Sequence, residues 1–91
     1  MDDNSFNQIQ KTYNFTLNID YTINNDDDLL SVSTALYAGA CYDAVIGSID
    51  HNLYAEFHRV ADSKEAAIKQ AIDDVQRLEA FNLKVISVKA H

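Results

Sequence analysis

The chain has 91 residues, 47% of them hydrophobic, and a formal net charge of −7 at pH 7. That length suits one domain, and the hydrophobic fraction argues against a disordered chain. Seven basic residues against fourteen acidic ones argue against direct binding to nucleic acid, because proteins bind that polyanion through Lys and Arg. No apolar run approaches the roughly 20 residues that a membrane span needs.

The N-terminal segment and the single cysteine bear on location. Residues 1–10 are polar and acidic, the opposite of a signal peptide, and are predicted to form a flexible arm ahead of one domain over residues 11–91. Cys41 is the one cysteine, which leaves no internal disulfide and no cysteine-based zinc site. A cytoplasmic protein is the expectation, since reduced thiols are usual there.

The first predicted element is the clearest strand. Apolar and polar side chains alternate between residues 13 and 23, a period of two that predicts one buried and one polar face. The apolar set is Tyr13, Phe15, Leu17, Ile19, Tyr21 and Ile23.

A helix is predicted next. Asn25 can cap it, and acidic residues fill its first turn, where negative charge favours the helix dipole. Those residues are Asp26, Asp27 and Asp28, followed at helical spacing by Leu29, Val32, Leu36 and Ala40. The helix is expected to end around residues 39–42, where Gly39 lies.

A β-hairpin is predicted in the middle of the chain. Residues 44–49 and 53–60 have the composition of two strands, and the three residues between them, Asp50, His51 and Asn52, form the turn. Glu56, in the second of these strands, is expected to pair with a basic residue across the sheet.

A second helix and a last strand complete the chain. Asp62 and Glu65 have the spacing of a capping box ahead of an apolar stripe, and the helix is expected to end at Asn82. Its outer face offers Glu65 with Lys69 and Asp73 with Arg77 as i,i+4 pairs. Residues 83–88 are predicted to form the last strand.

The element order is β-α-β-β-α-β, which predicts an α+β, ferredoxin-like sandwich. In this fold two helices cover one face of a four-stranded antiparallel sheet, with the first and third strands central. The second face would be uncovered. Such a face or edge can pair with another copy, and a two-fold homodimer is therefore expected.

RNA binding is disfavoured on this uncovered face. RNA-recognition domains of this topology stack bases on aromatic side chains of the central strands. The outward residues here are instead mostly polar or acidic: Asn14, Thr16 and Asn18 on the first strand, and Tyr54, Glu56 and His58 on the third.

The sequence contains no recognisable catalytic, cofactor-binding or metal-binding constellation, and a non-enzymatic protein is predicted. Cys41 falls at a helix C-terminus, which does not lower a thiol pKa, so a small buried residue is expected. His51 and His58 match no metal-ligand spacing. Asp26 to Asp28 lack the alternating ligands and mid-loop glycine of a calcium loop.

From Ala35 onward the chain contains several short motifs that together are typical of one protein family. They are Ala35-Leu36-Tyr37, Cys41-x-Asp43-Ala44, Gly47, Phe57-x-Arg59-x-Ala61-Asp62-Ser63, Ala66, Ala71-Ile72-x-Asp74-Val75 and Lys84-Val85-Ile86-x-Val88. In these the chain resembles a family of small bacterial proteins whose βαββαβ domain usually precedes a helix-turn-helix segment. The resemblance implies a regulatory or antitoxin-like role, with DNA contact made by the helix-turn-helix segment, which is not among these residues. Tyr42 stands where the family usually has a second acid.

Two functional hypotheses follow. One is a self-associating protein-interaction domain of regulatory or antitoxin-like type. The other is an acidic inhibitor, encoded by a phage or mobile element in the manner of anti-CRISPR and other anti-defence proteins, that blocks a nucleic-acid-binding surface of its target. Under either hypothesis the partner would be a protein. The target of an acidic inhibitor would have a basic surface. The candidate contacts are Asp26, Asp27, Asp28, Asp50, Glu56, Asp73 and Asp74, although acidic charge also serves solubility alone.

Overall fold

The computed structural model describes residues 10–91. Four strands and two helices follow one another in the predicted order, with one short 3₁₀ turn before the last strand. The bounds are β1 Lys11–Thr22, α1 Asp26–Ala38, β2 Ala44–Ile49, β3 Asn52–Ala61, α2 Lys64–Gln76, the 3₁₀ turn Glu79–Phe81 and β4 Val85–Ala90. The arm predicted over residues 1–10 lies, apart from Gln10, outside the described residues.

The strands form one antiparallel sheet in the order β2-β3-β1-β4. This confirms the ferredoxin-like α+β fold and the central position of the first and third strands. β1 and β3 pair over almost their whole length, from Lys11 opposite Ala61 to Thr22 opposite Asn52. The outer strands β2 and β4 have only 6 residues each, so the two edges of the sheet are short.

The core lies between the helices and one face of the sheet. β1 places Phe15 and Leu17 there, and the ring of Phe57 from β3 stacks on that of Phe15 with centroids 5.5 Å apart. α2 adds Ala67 and Ala71, both fully buried. Because alanine has a short side chain, the backbone of α2 can approach the sheet closely.

Helix α1 begins as predicted. The Asn25 side chain accepts a hydrogen bond from the Asp28 N–H at 2.9 Å, and Asp28 in turn accepts one from the Asn24 N–H at 2.9 Å. The first bond satisfies a donor that the first turn would otherwise leave free, and the second ties the residue before the cap to that turn. The helix ends at Ala38, and the Gly39 N–H that follows donates to the carbonyls of Ala35 and Leu36.

The hairpin between β2 and β3 turns on two residues. Asp50 and His51 have φ values of 53° and 69°, the left-handed conformation that a two-residue type I′ turn requires at both positions. The His51 carbonyl accepts a hydrogen bond from the Ile23 N–H at 2.7 Å. The hairpin tip is therefore held against the segment that leads into α1.

The start and the end of the second helix differ from the prediction. Ser63, and not Asp62, is the cap: its hydroxyl accepts from the Ala66 N–H at 3.1 Å. Glu65 then occupies the second helical position, from which it does not complete a capping box. The helix ends at Gln76, short of Asn82. Leu78 leaves the helical conformation.

The last strand is displaced by two residues from its predicted start. Leu83 is buried and Lys84 accepts a hydrogen bond from the Asp20 N–H at 2.7 Å, but the ladder proper begins at Val85. A bulge follows at once, since Val85 lies opposite Ile19, Ser87 lies opposite Asn18, and Ile86 between them has no opposite residue. Bulges of this kind bend an edge strand.

Candidate interaction surfaces

The uncovered face of the sheet carries a row of paired polar side chains. His58 Nδ1 lies 2.7 Å from Asn14 Oδ1, and the Asn18 amide donates to Ser87 Oγ at 3.0 Å. Thr16 Oγ1 lies 2.7 Å from His91 Nε2. These contacts cross from β1 to both neighbours, so they hold the face as a fixed surface with its polar groups partly satisfied.

Apolar side chains flank this polar row. Val45 and Ile49 on β2 and Ile86 on β4 are 52%, 65% and 65% exposed. The ring of Tyr54 lies over Gly47 on the neighbouring strand, because a Cβ built on Gly47 would meet the Tyr54 hydroxyl oxygen at 2.5 Å. The absence of a side chain at Gly47 therefore leaves room for the Tyr54 ring against the sheet. The uncovered face has exposed apolar area on both sides of its polar row.

The edge formed by β2 is occupied. The Ala44 N–H donates to the Cys41 carbonyl at 3.2 Å, and the Ile46 N–H donates to the hydroxyl of Tyr37 at 3.3 Å. Tyr37 comes from the last turn of α1 and reaches the strand from outside the sheet. A further strand cannot add here without displacing it.

The edge formed by β4 is open over most of its length. The His91 N–H donates to the Asn14 carbonyl at 3.1 Å, toward β1. Because antiparallel strands alternate the direction of their N–H groups, those of Val88 and Ala90 point away from the sheet. Within residues 10–91, a side chain reaches this edge only at Val85, whose N–H donates to Gln76 Oε1 at 3.1 Å.

A buried charge network lies between the sheet and the C-terminal halves of the helices. Arg59 donates from Nε and Nη2 to the two oxygens of Asp43, at 2.8 and 2.9 Å, and from Nη1 to Asp74 at 2.7 Å. Nη2 also donates to the Ala40 carbonyl at 3.0 Å. The two carboxylates raise the pKa of the guanidinium, led by the hydrogen bonds to Asp43 and opposed by burial.

This network joins four elements of the fold. Arg59 comes from β3, Asp43 from the turn before β2, and Asp74 from α2, while the Ala40 carbonyl follows α1. The guanidinium carbon also lies 4.9 Å from the centroid of the Phe57 ring. Its donors are thus used in holding the fold together, and Arg59 offers little to an outside ligand.

Cys41 is buried beside this network, as predicted. Burial, and then the negative charge of Asp74, raise the pKa of its thiol to about 11. A reactive cysteine needs a lowered pKa and access to solvent. The Cys41 thiol is therefore an unreactive side chain of the buried core.

The predicted contact residues fall on separate surfaces. Asp26 and Asp50 line one shallow groove, where the hairpin tip meets the start of α1. Glu56 lies in the middle of the uncovered face, opposite Thr16 and Val45. Its predicted ion pair with a basic residue is wrong for the described part of the chain, where Arg59 pairs with Asp43 and Asp74 instead.

The two remaining acidic candidates differ from each other. Asp73 is exposed on α2, whereas the Asp74 side chain is 15% exposed and bonded to Arg59. Arg77 lies 3.6 Å from Asp74 at i,i+3, in place of the pair with Asp73 that the helix spacing predicted. Asp74 was predicted as a contact because of its charge. Its partner Arg59, whose guanidinium binds that carboxylate, was not predicted as a site residue.

Among residues 10–91, no three His, Cys, Asp or Glu side chains are grouped in a way that could hold a metal ion. No helix in the described chain is long and apolar enough to cross a membrane. The groove between the helices, about 420 Å³, is lined mainly by apolar atoms of residues such as Leu36 and Leu78 and ends at the Arg59 network.

No family model, curated protein or solved structure matches the chain. The resemblance to bacterial regulators with a following helix-turn-helix segment therefore stays a prediction. What the fold contributes to function rests on the surfaces described above.

Proposed function

We propose that the chain is a non-enzymatic protein-interaction domain that associates with a second copy of itself and serves a regulatory or antitoxin-like role in the cytoplasm. The observation that carries the proposal is the sheet, which leaves one face and one edge uncovered. Ile49 and Ile86, each 65% exposed there, are apolar surface of the kind that interfaces bury.

The absence of catalysis is part of the proposal. Enzymes place titratable groups with shifted pKa values in accessible clefts. Arg59 and Cys41, whose pKa values are shifted in the described chain, are both buried, Arg59 in its ion pairs and Cys41 in the core. This supports a binding role over a chemical one.

The mass of the purified protein in solution tests self-association. Light scattering coupled to size exclusion, over a range up to high micromolar concentration, should give a mass approaching two chains. A mass of one chain throughout would contradict the proposal. The regulatory part has its own test: a tagged copy expressed in its natural host should retain one specific protein, and recovering none would count against that role.

The acidic inhibitor remains a second candidate because one observation favours it. The fold brings Asp26, Asp27 and Asp28 to the same end of the molecule as Asp50. An acidic end of this kind is complementary to a basic protein surface that normally holds nucleic acid.

This candidate predicts competition with nucleic acid for a basic protein. The purified chain should reduce DNA or RNA binding by a susceptible defence nuclease, and the double variant Asp26→Lys, Asp27→Lys should lose that effect. Glu65→Lys, on an exposed site of α2 outside the predicted contacts, is the matched control. Equal inhibition by all three proteins would remove the acidic end from the case.

A further inference from the structure

We infer that two copies join through β4, which pairs antiparallel with β4 of the second copy about a two-fold axis at Val88. This inference rests on the proposed self-association and assigns it a surface. The two four-stranded sheets would then form one continuous sheet, with α2 of each copy on the same side.

The first argument is the difference between the two edges. β4 presents outward N–H and C=O groups at Val88 and Ala90, whereas β2 is covered by Tyr37 at Ile46. If both edges were open, copies could add β4 to β2 without end and form a filament. With β2 covered at Ile46, pairing of β4 with another β4 is favoured, and that arrangement closes at two chains.

The second argument fixes the register. Residues directly opposite each other across an antiparallel pair lie on the same face of the sheet. Val88 lies opposite buried Leu17 and so faces the helices, while Ser87 and Lys89 lie opposite Asn18 and Thr16 on the uncovered face. An axis at Val88 matches Val88 with itself and Lys89 with Ser87 of the second copy. The axis falls on a residue whose N–H points outward, and the matched pairing ends at the bulge, because Ile86 lines the uncovered face whereas Ala90, opposite buried Phe15, faces the helices.

This register also keeps like charges apart. Lys89 would face the hydroxyl of Ser87 in the other copy, and not the other Lys89. Like charges directly opposite each other weaken a strand pair. Lys89 is thus compatible with the axis at Val88 and opposes an axis at Lys89, which would bring the two lysine side chains together.

The third argument is the apolar flank beneath the edge. Ile72 and Ile68 lie one and two turns before Gln76 on the same stripe of α2. Gln76 reaches the outer edge of β4 at Val85, so this stripe runs along the open edge. Both isoleucines are only partly buried, and Val88 is 38% exposed.

The flank matters because strand pairing alone buries little. Stable interfaces bury about 1,200 Å² or more in total, and a strand of 6 residues is short for that. The two-fold axis brings Val88 and the Ile68–Ile72 stripe of each copy together below the sheet. Apolar area is then added to the backbone hydrogen bonds.

The test uses a proline, which removes one N–H. Val88→Pro deletes an outward donor without touching the ladder to β1, and edge strands accept proline at such positions. Val60→Pro is the matched control: His58 donates toward the β2 side, so the N–H of exposed Val60 points to that side too, beyond the first residue of β2. Both variants must first show the native circular dichroism spectrum.

The dimer dissociation constant, from sedimentation at several concentrations, should rise by at least about tenfold in Val88→Pro and stay unchanged in Val60→Pro. A dimer equally strong in both would overturn the β4 interface while leaving self-association standing. A wild-type protein with the mass of one chain would instead defeat self-association itself.

A disulfide provides the second variant, should Val88→Pro fail to fold. Val88→Cys places two thiols opposite each other at the axis, within the roughly 4.4–6.8 Å between Cα atoms that a disulfide spans. Mild oxidation should convert most of this variant to covalent dimer, and Val60→Cys should stay monomeric. Buried Cys41, with its thiol pKa raised to about 11, does not compete. Absence of the Val88→Cys dimer would overturn the proposed register.

Discussion

Arg59 holds both oxygens of Asp43, from Nε at 2.8 Å and from Nη2 at 2.9 Å, and this pair fastens β3 to the turn that precedes β2. The two side chains are 9% and 21% exposed. Removing one partner leaves a nearly buried charge unmatched, which is the costly case for an ion pair.

We therefore expect Asp43→Ala to lower the free energy of unfolding by about 3 kcal/mol. Urea unfolding followed by circular dichroism measures it. Asp73→Ala, on an exposed position of α2, is the control and should change stability by less than about 0.5 kcal/mol. Equal effects of the two variants would mean that the Arg59 network contributes no stability of its own.

Tyr37→Phe should open the second edge of the sheet. The variant loses the hydroxyl that accepts from the Ile46 N–H and keeps the ring. We expect a stability loss of about 1 kcal/mol and, at high concentration, species larger than a dimer, because β2 then becomes able to pair with β4. Sedimentation velocity measures both dimer and larger species, and a distribution identical to wild type would show that Tyr37 does not guard the edge.

Gly47→Ala should act through Tyr54. The new Cβ would meet the tyrosine hydroxyl at 2.5 Å, so the ring must swing off the sheet. We expect a cost of about 1 kcal/mol in the wild-type background and much less in a Tyr54→Ala background, where no ring is displaced. A double-mutant cycle by urea unfolding gives the coupling, and additive effects would contradict the contact.

Alkaline pH should weaken the fold through Cys41. Its thiol pKa rises from 9.0 to about 11 on folding, so the unfolded chain loses this proton first. The resulting stability is present below pH 9 and declines as the pH rises toward 11, at up to about 1.4 kcal/mol per pH unit. Cys41→Ala should show a shallower alkaline loss than wild type, since the tyrosines and lysines are common to both, and parallel curves would contradict the assignment.

The fold could be predicted from sequence because its signals are local. The alternation in β1, the Asn25 cap and the short hairpin turn are each set by neighbouring residues. The errors lie where tertiary contacts decide. Leu78 fits the helical stripe, yet the chain leaves α2 before it and brings Phe81 against Tyr21, with ring centroids 6.0 Å apart.

The surfaces were less predictable for a physical reason. Arg59 occupies an inward position of β3, two residues after Phe57, so its burial could have been read from the same alternation that placed the phenylalanine. Nothing in the sequence pairs it with Asp43 and Asp74, or brings Tyr37 to Ile46. Such contacts depend on how helices lie across the sheet, and they decide which edge is open.

Amide hydrogen exchange at Val88, followed residue by residue by NMR, tests the central claim most directly. Within one copy this N–H points away from β1, so any protection must come from a partner strand. The account predicts that exchange at Val88 slows as protein concentration rises, while exchange at Phe15, within the central ladder, stays slow throughout. Fast exchange at Val88 at every concentration, in a sample whose mass is that of a dimer, would contradict it.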